Sequence, residues 1–144
     1  MTVLPQEAPQ PAVLFVCAKN GGKSQMAAGL MKHEAGDKIT VTSAGTKPAA
    51  AINARSAEVL LEMGIDISVE VPKPLTEENM RAAGLVIVLG TEAQVPAVDG
   101  VEIEIWETDE PSLRGIEGRE RMTLIRDDIH ARVQKLKARL LSTQ

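Results

Sequence analysis

Cys17 is the only cysteine of the chain. It stands between an apolar run, Val13-Leu14-Phe15-Val16, and a polar stretch, Ala18-Lys19-Asn20-Gly21-Gly22-Lys23-Ser24, that leads into an Ala/Met/Leu-rich segment. The run reads as a buried strand, the segment as a helix and the stretch between them as a glycine loop. Strand, glycine loop and helix start together make an anion cradle. Glycines let successive backbone N–H groups turn inward, and the helix dipole adds positive potential. A thiol at the mouth of such a cradle, with lysines beside it, is held toward its nucleophilic thiolate form. The residues point to a cysteine poised over a bound tetrahedral oxyanion. The bland reading, a small apolar cysteine buried at a strand end, leaves the loop unexplained.

Two motif grammars overlap on this loop. The nucleotide-binding pattern G-x-x-x-x-G-K-[ST] is met in its second half by Gly22-Lys23-Ser24, but Cys17 occupies the place of the first glycine. The run Leu85–Leu89 ends in Gly90, where an aspartate would hold magnesium. Nucleotide hydrolysis is therefore a minor reading. The second grammar is a cysteine, five residues, a basic residue and Ser/Thr, here Cys17, residues 18–22, Lys23 and Ser24.

The elements that must position these residues follow from patterning. Ala12–Val16 is a first strand. Ser24 to Ala35 is a helix with Ser24 as N-cap and Gly36 as stop. Lys38–Thr42 is a second strand, followed by the small-residue loop Ser43-Ala44-Gly45-Thr46. Asn53 to Met63 is helical, and Pro72 and Pro74 impose an extended or turning segment. Thr76 caps a short helix, Leu85–Leu89 is a strand buried on both faces, and Val101–Trp106 is the last strand. Glu117 to Leu141 is a long helix with Met122, Ile125, Ile129, Val133, Leu136 and Leu140 at spacings of 3 or 4. Its mixed charges from Arg119 to Arg139 read as a solvent-facing side. Alternating strands and helices predict a three-layer α/β/α domain around a parallel four-stranded sheet. The expected organisation is a flexible tail over 1–11 and a single domain over 12–144. Ligands of such sheets bind beyond the carboxyl ends of the strands, which is where the Cys17 loop lies.

Composition narrows the class. The 144 residues include 44% hydrophobic residues, but Phe15 and Trp106 are the only aromatics and there is no tyrosine. A core of Val, Ile, Leu, Met and Ala suits helices on a sheet. The formal net charge of −4 and the lack of aromatics argue against a nucleic-acid partner. A lone cysteine excludes an internal disulfide and a Cys-rich metal site, and His33 and His130 show no ligand spacing, so no metal is expected. No stretch reaches the ~20 apolar residues of a membrane span. The expectation is a cytoplasmic protein without membrane contact.

Cys17 with Asn20, Lys23 and Ser24, the Ser43–Thr46 loop, the Gly64-Ile65-Asp66 turn and the acidic loop Asp109-Glu110-Pro111 jointly resemble the low-molecular-weight protein tyrosine phosphatase superfamily. That superfamily includes a branch of arsenate reductases, and the resemblance covers most of residues 12–141. It implies that Cys17 is the nucleophile, that the backbone of Ala18, Lys19, Asn20, Gly21, Gly22 and Lys23 binds the oxyanion, that Asn20 holds the loop and that Ser24 donates to the Cys17 thiolate. An acid from the 109–111 loop would protonate the leaving oxygen. Position before the proline favours Glu110, and residue type favours Asp109, toward which the sequence leans.

Two departures move the chain away from phosphotyrosine. Lys23 stands where the phosphatases carry arginine, replacing a planar two-oxygen fork by a point charge. Ser112 follows Pro111 where those enzymes carry a tyrosine. Both departures favour a small inorganic oxyanion, arsenate being the obvious one. Thioredoxin-coupled members use two further cysteines after the third strand, and the matching stretch, Thr91-Glu92-Ala93-Gln94-Val95-Pro96, has none. The resemblance therefore implies no tightly bound cofactor but an external low-molecular-weight thiol as co-substrate, in actinobacteria mycothiol, with a mycoredoxin or glutaredoxin-like protein releasing arsenite afterwards. Cys17 either forms the arsenic adduct or assists direct attack by the thiol. The alternatives are a phosphatase acting on small phosphomonoesters or phosphoproteins and a catalytically silent oxyanion-binding protein.

Overall fold

A computed structural model describes residues 10–142. Its elements run β1 (Ala12–Cys17), α1 (Lys23–Ala35), β2 (Thr40–Gly45), α2 (Ala54–Leu61), α3 (Glu77–Ala83), β3 (Leu85–Leu89), β4 (Glu102–Trp106) and α4 (Gly118–Ser142), with 3-10 turns at 36–38 and 111–114. The four strands form one sheet in the order β2-β1-β3-β4, parallel throughout. The expected three-layer α/β architecture is present. Most of the expected tail, residues 1–9, lies outside the described residues. Its last residue, Pro11, is tied to β2 through Thr40 N–H donating to its carbonyl (2.8 Å). No described helix is long and apolar enough to cross a membrane.

Alternation along the strands divides the core in two. Val13 and Phe15 of β1, with Ile87, Leu89 and Trp106, face α1, α2 and α4 and build the larger cluster. Leu14 and Val16, with Val86 and Val88, face Met80 of α3 and the loops around it. A central strand with partners on both faces must be apolar at every position, and residues 13–16 of β1 are fully buried. The two aromatics meet in the larger cluster, with ring centroids 5.8 Å apart. The buried stripe of α4 is Ile125, Ile129, Val133 and Leu136, at the spacing expected from the sequence.

Some boundaries differ from expectation for identifiable reasons. α1 begins at Lys23 with Gly22 at its N-cap and no side-chain cap, because the hydroxyl of Ser24 is engaged elsewhere. Lys38 belongs to a 3-10 turn, and Ser43, Ala44 and Gly45 continue β2 rather than forming a loop. β2 extends because Cys17 of β1 is in register with Gly45 and because Gly45 bridges Pro74 on its other side. Asn53 is the cap of α2, accepting from Ser56 N–H, and the box of α3 pairs Thr76 with Asn79.

β1 lies between β2 and β3, so the chain departs to opposite sides of it. The carboxyl end of β1 is the switch point at which open α/β sheets bind ligands. Gly45 supports it from below. A Cβ there would lie 2.7 Å from the Ala18 carbonyl oxygen and 2.9 Å from both Asn20 N and Asn20 Cβ. We expect Gly45→Ala to lower unfolding stability by about 1–3 kcal/mol, as overpacking does, and to weaken oxyanion binding through displacement of the loop. Denaturant unfolding and phosphate titration check the two effects.

Candidate functional site

The loop between β1 and α1 is shaped by where its carbonyls go. Those of Cys17, Ala18, Lys19 and Gly21 accept from the N–H groups of Thr46, Lys47, Ala49 and Asn53, at 2.7–3.3 Å. No peptide bond among the described residues is cis, so the N–H on the far side of each peptide points the opposite way. The N–H groups of Ala18, Lys19, Asn20 and Gly22 therefore point away from the 46–53 segment, next to the N-terminus of α1. Fixed dipoles arranged in this way are able to cradle an anion. Gly21 is needed for close approach, since a Cβ would come 3.1 Å from the Ala51 oxygen.

Asn20 is fully buried and is the one non-glycine residue with positive φ (51°) among those described. Asparagine is among the few residues that tolerate this region. Its Nδ2 donates to Ser24 Oγ (2.7 Å), and its Oδ1 accepts from Gln25 Nε2 (3.2 Å) and Lys73 N–H (2.8 Å). Ser24 Oγ lies 2.9 Å from Cys17 Sγ. Because Ser24 Oγ accepts from the amide, its own proton is free to donate to the sulfur, which is the polarity a thiolate requires. Cys17 is 9% exposed and opens onto a cleft.

That cleft measures about 790 Å³, far more than one tetrahedral oxyanion occupies. Cys17, Ala18, Lys19, Gly21, Gly22 and Lys23 line one side; Thr108, Glu110, Leu113, Arg121 and Met122 line another. The Lys23 ammonium lies near Gly90 at the end of β3, 3.8 Å from where a Cβ on that residue would be. Asn20 does not line the cleft; it props the loop from beneath.

Of the two candidate acids, Glu110 lines the cleft and Asp109 does not. The geometry thus reverses the lean toward Asp109. Its carboxylate is drawn onto Arg114 in the following turn (2.7 and 3.2 Å), which holds its pKa below the usual range. Glu110 is forked by Arg121, with Nε 2.9 Å from Oε2 and Nη2 2.7 Å from Oε1. It also accepts from Ser112 N–H and Oγ. The Arg121 bond, then the Ser112 bonds, bring its pKa down to about 2 against desolvation.

α4 secures the whole acidic loop. Asp128 accepts from Asp109 N–H (2.8 Å), and Arg132 donates to the Glu107 carbonyl (2.8 Å). Arg121 and Arg126, expected on a solvated side, are instead 28% and 13% exposed. Neither Arg121 nor Thr108 was marked by the sequence. The available signal for Arg121 was only its place at the start of the helix after the acidic loop. Among the described residues no cluster of His, Cys, Asp or Glu could hold a metal ion.

Known proteins share this fold. Residues 12–143 match the family described as low molecular weight phosphotyrosine protein phosphatase. A solved structure titled a Corynebacterium glutamicum thioredoxin-dependent arsenate reductase superposes with a TM-score of 0.80 at 36% identity, over 95% of this chain and 65% of that one. The chain thus spans just under two thirds of that protein. An arsenate reductase of Halalkalibacterium halodurans is 32% identical over 128 residues, covering 85% of this chain and 91% of the relative. A glutaredoxin arsenate reductase of Synechocystis sp. is 30% identical over 131 residues, covering 89% and 97%.

Two outcomes test the energetics. Asn20→Ala leaves Ser24, Gln25 and Lys73 short of a partner, and each buried unpaired group costs about 1–3 kcal/mol, so a loss of at least ~2 kcal/mol is expected in chemical denaturation. The Glu110 carboxyl has a folded pKa of about 2, below its unfolded value. Its contribution is therefore present above the unfolded pKa and lost as pH falls toward 2. Glu110→Gln should flatten the pH dependence of stability across that acid window, measured by denaturant midpoints.

Proposed function

The chain belongs to the low molecular weight phosphotyrosine protein phosphatase family, and from that premise we propose that it is an arsenate reductase that joins arsenate to an external low-molecular-weight thiol, mycothiol being the leading candidate. One observation carries the reading: the single cysteine of the chain stands at the mouth of an N–H cradle, hydrogen-bonded by Ser24, so no second thiol in the chain can complete a reduction. The arsenate reductases among its relatives support the substrate.

Arsenate docks with its oxygens on the cradle N–H groups, beside Lys23. The Cys17 thiolate attacks arsenic; an As–S bond forms and an As–O bond breaks, the oxygen leaving as water once protonated. Glu110, on the cleft wall, is the proton donor of this reading. An external thiolate then attacks arsenic and displaces Cys17, regenerating the thiolate and releasing a thiol–arsenate adduct. Arsenic stays pentavalent through both displacements. Reduction occurs outside the cleft, when a thiol of a mycoredoxin or glutaredoxin-like protein attacks the adduct sulfur, giving a mixed disulfide and arsenite. Lys23 suits this chemistry better than phosphoryl transfer, in which a planar fork on two equatorial oxygens does more.

The test is arsenite release by purified protein with mycothiol and mycoredoxin, or with glutathione and glutaredoxin, beside hydrolysis of a phosphate monoester. We expect thiol-dependent, saturable arsenite release. Cys17→Ser should lower it by about a thousandfold or more, the scale on which loss of a nucleophile acts. Ester hydrolysis without arsenate turnover would establish a phosphatase instead, and silence in both assays with retained phosphate binding would leave an oxyanion-binding protein.

A further inference from the structure

The cleft contains a forked cation that the chemistry above does not use. Arg121, in the first turn of α4, lines it together with Cys17 and Lys23. Its fork is spent on Glu110, although Glu110 keeps two further donors from Ser112 and would remain anchored without it. On the same wall, Thr108 Oγ1 is the one buried side-chain polar atom among the described residues that has no hydrogen-bond partner. A buried hydroxyl with no partner is uncommon, and this one belongs to a residue that lines the cleft.

We propose that Arg121 is a second grip on the substrate oxyanion and a positioning residue for Glu110: when the oxyanion binds, the guanidinium passes from Glu110 to two of its oxygens, the Thr108 hydroxyl donates to it, and Glu110 takes up a proton. The inference deepens the reading of the site as an oxyanion site and rests on it.

Three observations support the exchange. The loop supplies Lys23, a point charge, where a planar fork would match two oxygens, and Arg121 is the forked cation of the cleft. A carboxylate on the wall opposes a bound anion, and the opposition ends if Arg121 changes partner and Glu110 becomes neutral. The other groups around Glu110 permit this. Asp109 is paired with Arg114, Ser112 donates from the turn, Lys19, Lys23, Glu92 and Glu107 lie along the cleft, and Glu117 lies near enough to Arg121 to favour its charge. In the covalent step the Cys17 Sγ–As bond forms, the As–O bond breaks, and the Glu110 proton leaves with that oxygen as water. Arsenic keeps its oxidation state, so no reductant is needed here.

Calorimetric titration with inorganic phosphate tests the exchange on folded protein, with thermal melts confirming that each variant folds. Arg121→Met should weaken phosphate binding about tenfold or more, as loss of a forked charge-assisted contact does, and Arg121→Lys should recover only part. Glu110→Gln should tighten phosphate several-fold by freeing the fork, and this gain should vanish in the Arg121→Met background. An unchanged affinity in Arg121→Met would make Arg121 a mere tether, and a Glu110→Gln gain that persists in full in the double variant would be simple charge repulsion. Either result overturns the proposal. Phosphate binding needs neither thiol nor turnover, so failure of arsenate reduction leaves the experiment readable. If the wild-type protein binds no phosphate, the oxyanion site itself is refuted, and the proposal with it.

Discussion

The buried amide of Asn20 is the constraint on which the rest of the site depends. Its left-handed backbone bends the loop back on itself after β1, and its side chain reaches Ser24, Gln25 and Lys73 at once. Those three contacts join the loop, the start of α1 and the segment before α3. Because Asn20 donates to Ser24, the serine proton is free to serve Cys17. A single side chain thus sets the backbone path of the cradle and, through one intermediate, the environment of the sulfur. Buried networks of this kind are costly when incomplete and rigid when satisfied, and in this one both polar atoms of the Asn20 amide have partners.

A second level of order comes from the segment between β2 and α2. It has no regular structure, yet the N–H groups of Thr46, Lys47, Ala49 and Asn53 occupy the outward carbonyls of the loop. The form of the loop therefore follows from a general demand, that buried backbone groups find partners. With the carbonyls committed on one side, the N–H groups on the other side are left for a ligand. The helix dipole of α1 acts in the same direction. α4 adds charge to the cleft through Arg121 and reaches the acidic loop through Arg121, Asp128 and Arg132.

The strands, the helices and the parallel order were legible because periodicity reports burial directly. Leu85–Leu89 has no polar residue and is buried on both faces, and α4 buries the stripe that its spacing predicts. The cradle was legible from Cys17, Asn20, Gly21, Gly22 and Ser24, since few backbones other than an anion loop require that order of residue types. Ser24 was read as a cap because a serine before a helix usually is one; its hydroxyl serves Asn20 and Cys17 instead. Ser43–Gly45 read as a loop because small residues are poor strand formers, and only the register with Cys17 makes them strand. Arg121 and Arg126 read as solvated because local spacing cannot report a partner that lies 11 or 64 residues away in the chain.

The amino-acid sequence by itself determined the layers, the order of elements, the placing of the lone cysteine at the start of its glycine loop and the absence of a second thiol from the 144 residues, since these rest on local pattern and composition. The tertiary structure alone decided which acid lines the cleft with Cys17 and which arginine that acid pairs with. Asp109 and Glu110 are adjacent and alike in chemistry, and they are separated only by their partners, Arg114 in the next turn and Arg121 on the helix beyond. Electrostatic roles of that kind depend on distances of a few ångströms between distant elements, and these exist only once the hydrophobic core has docked α4 against the sheet.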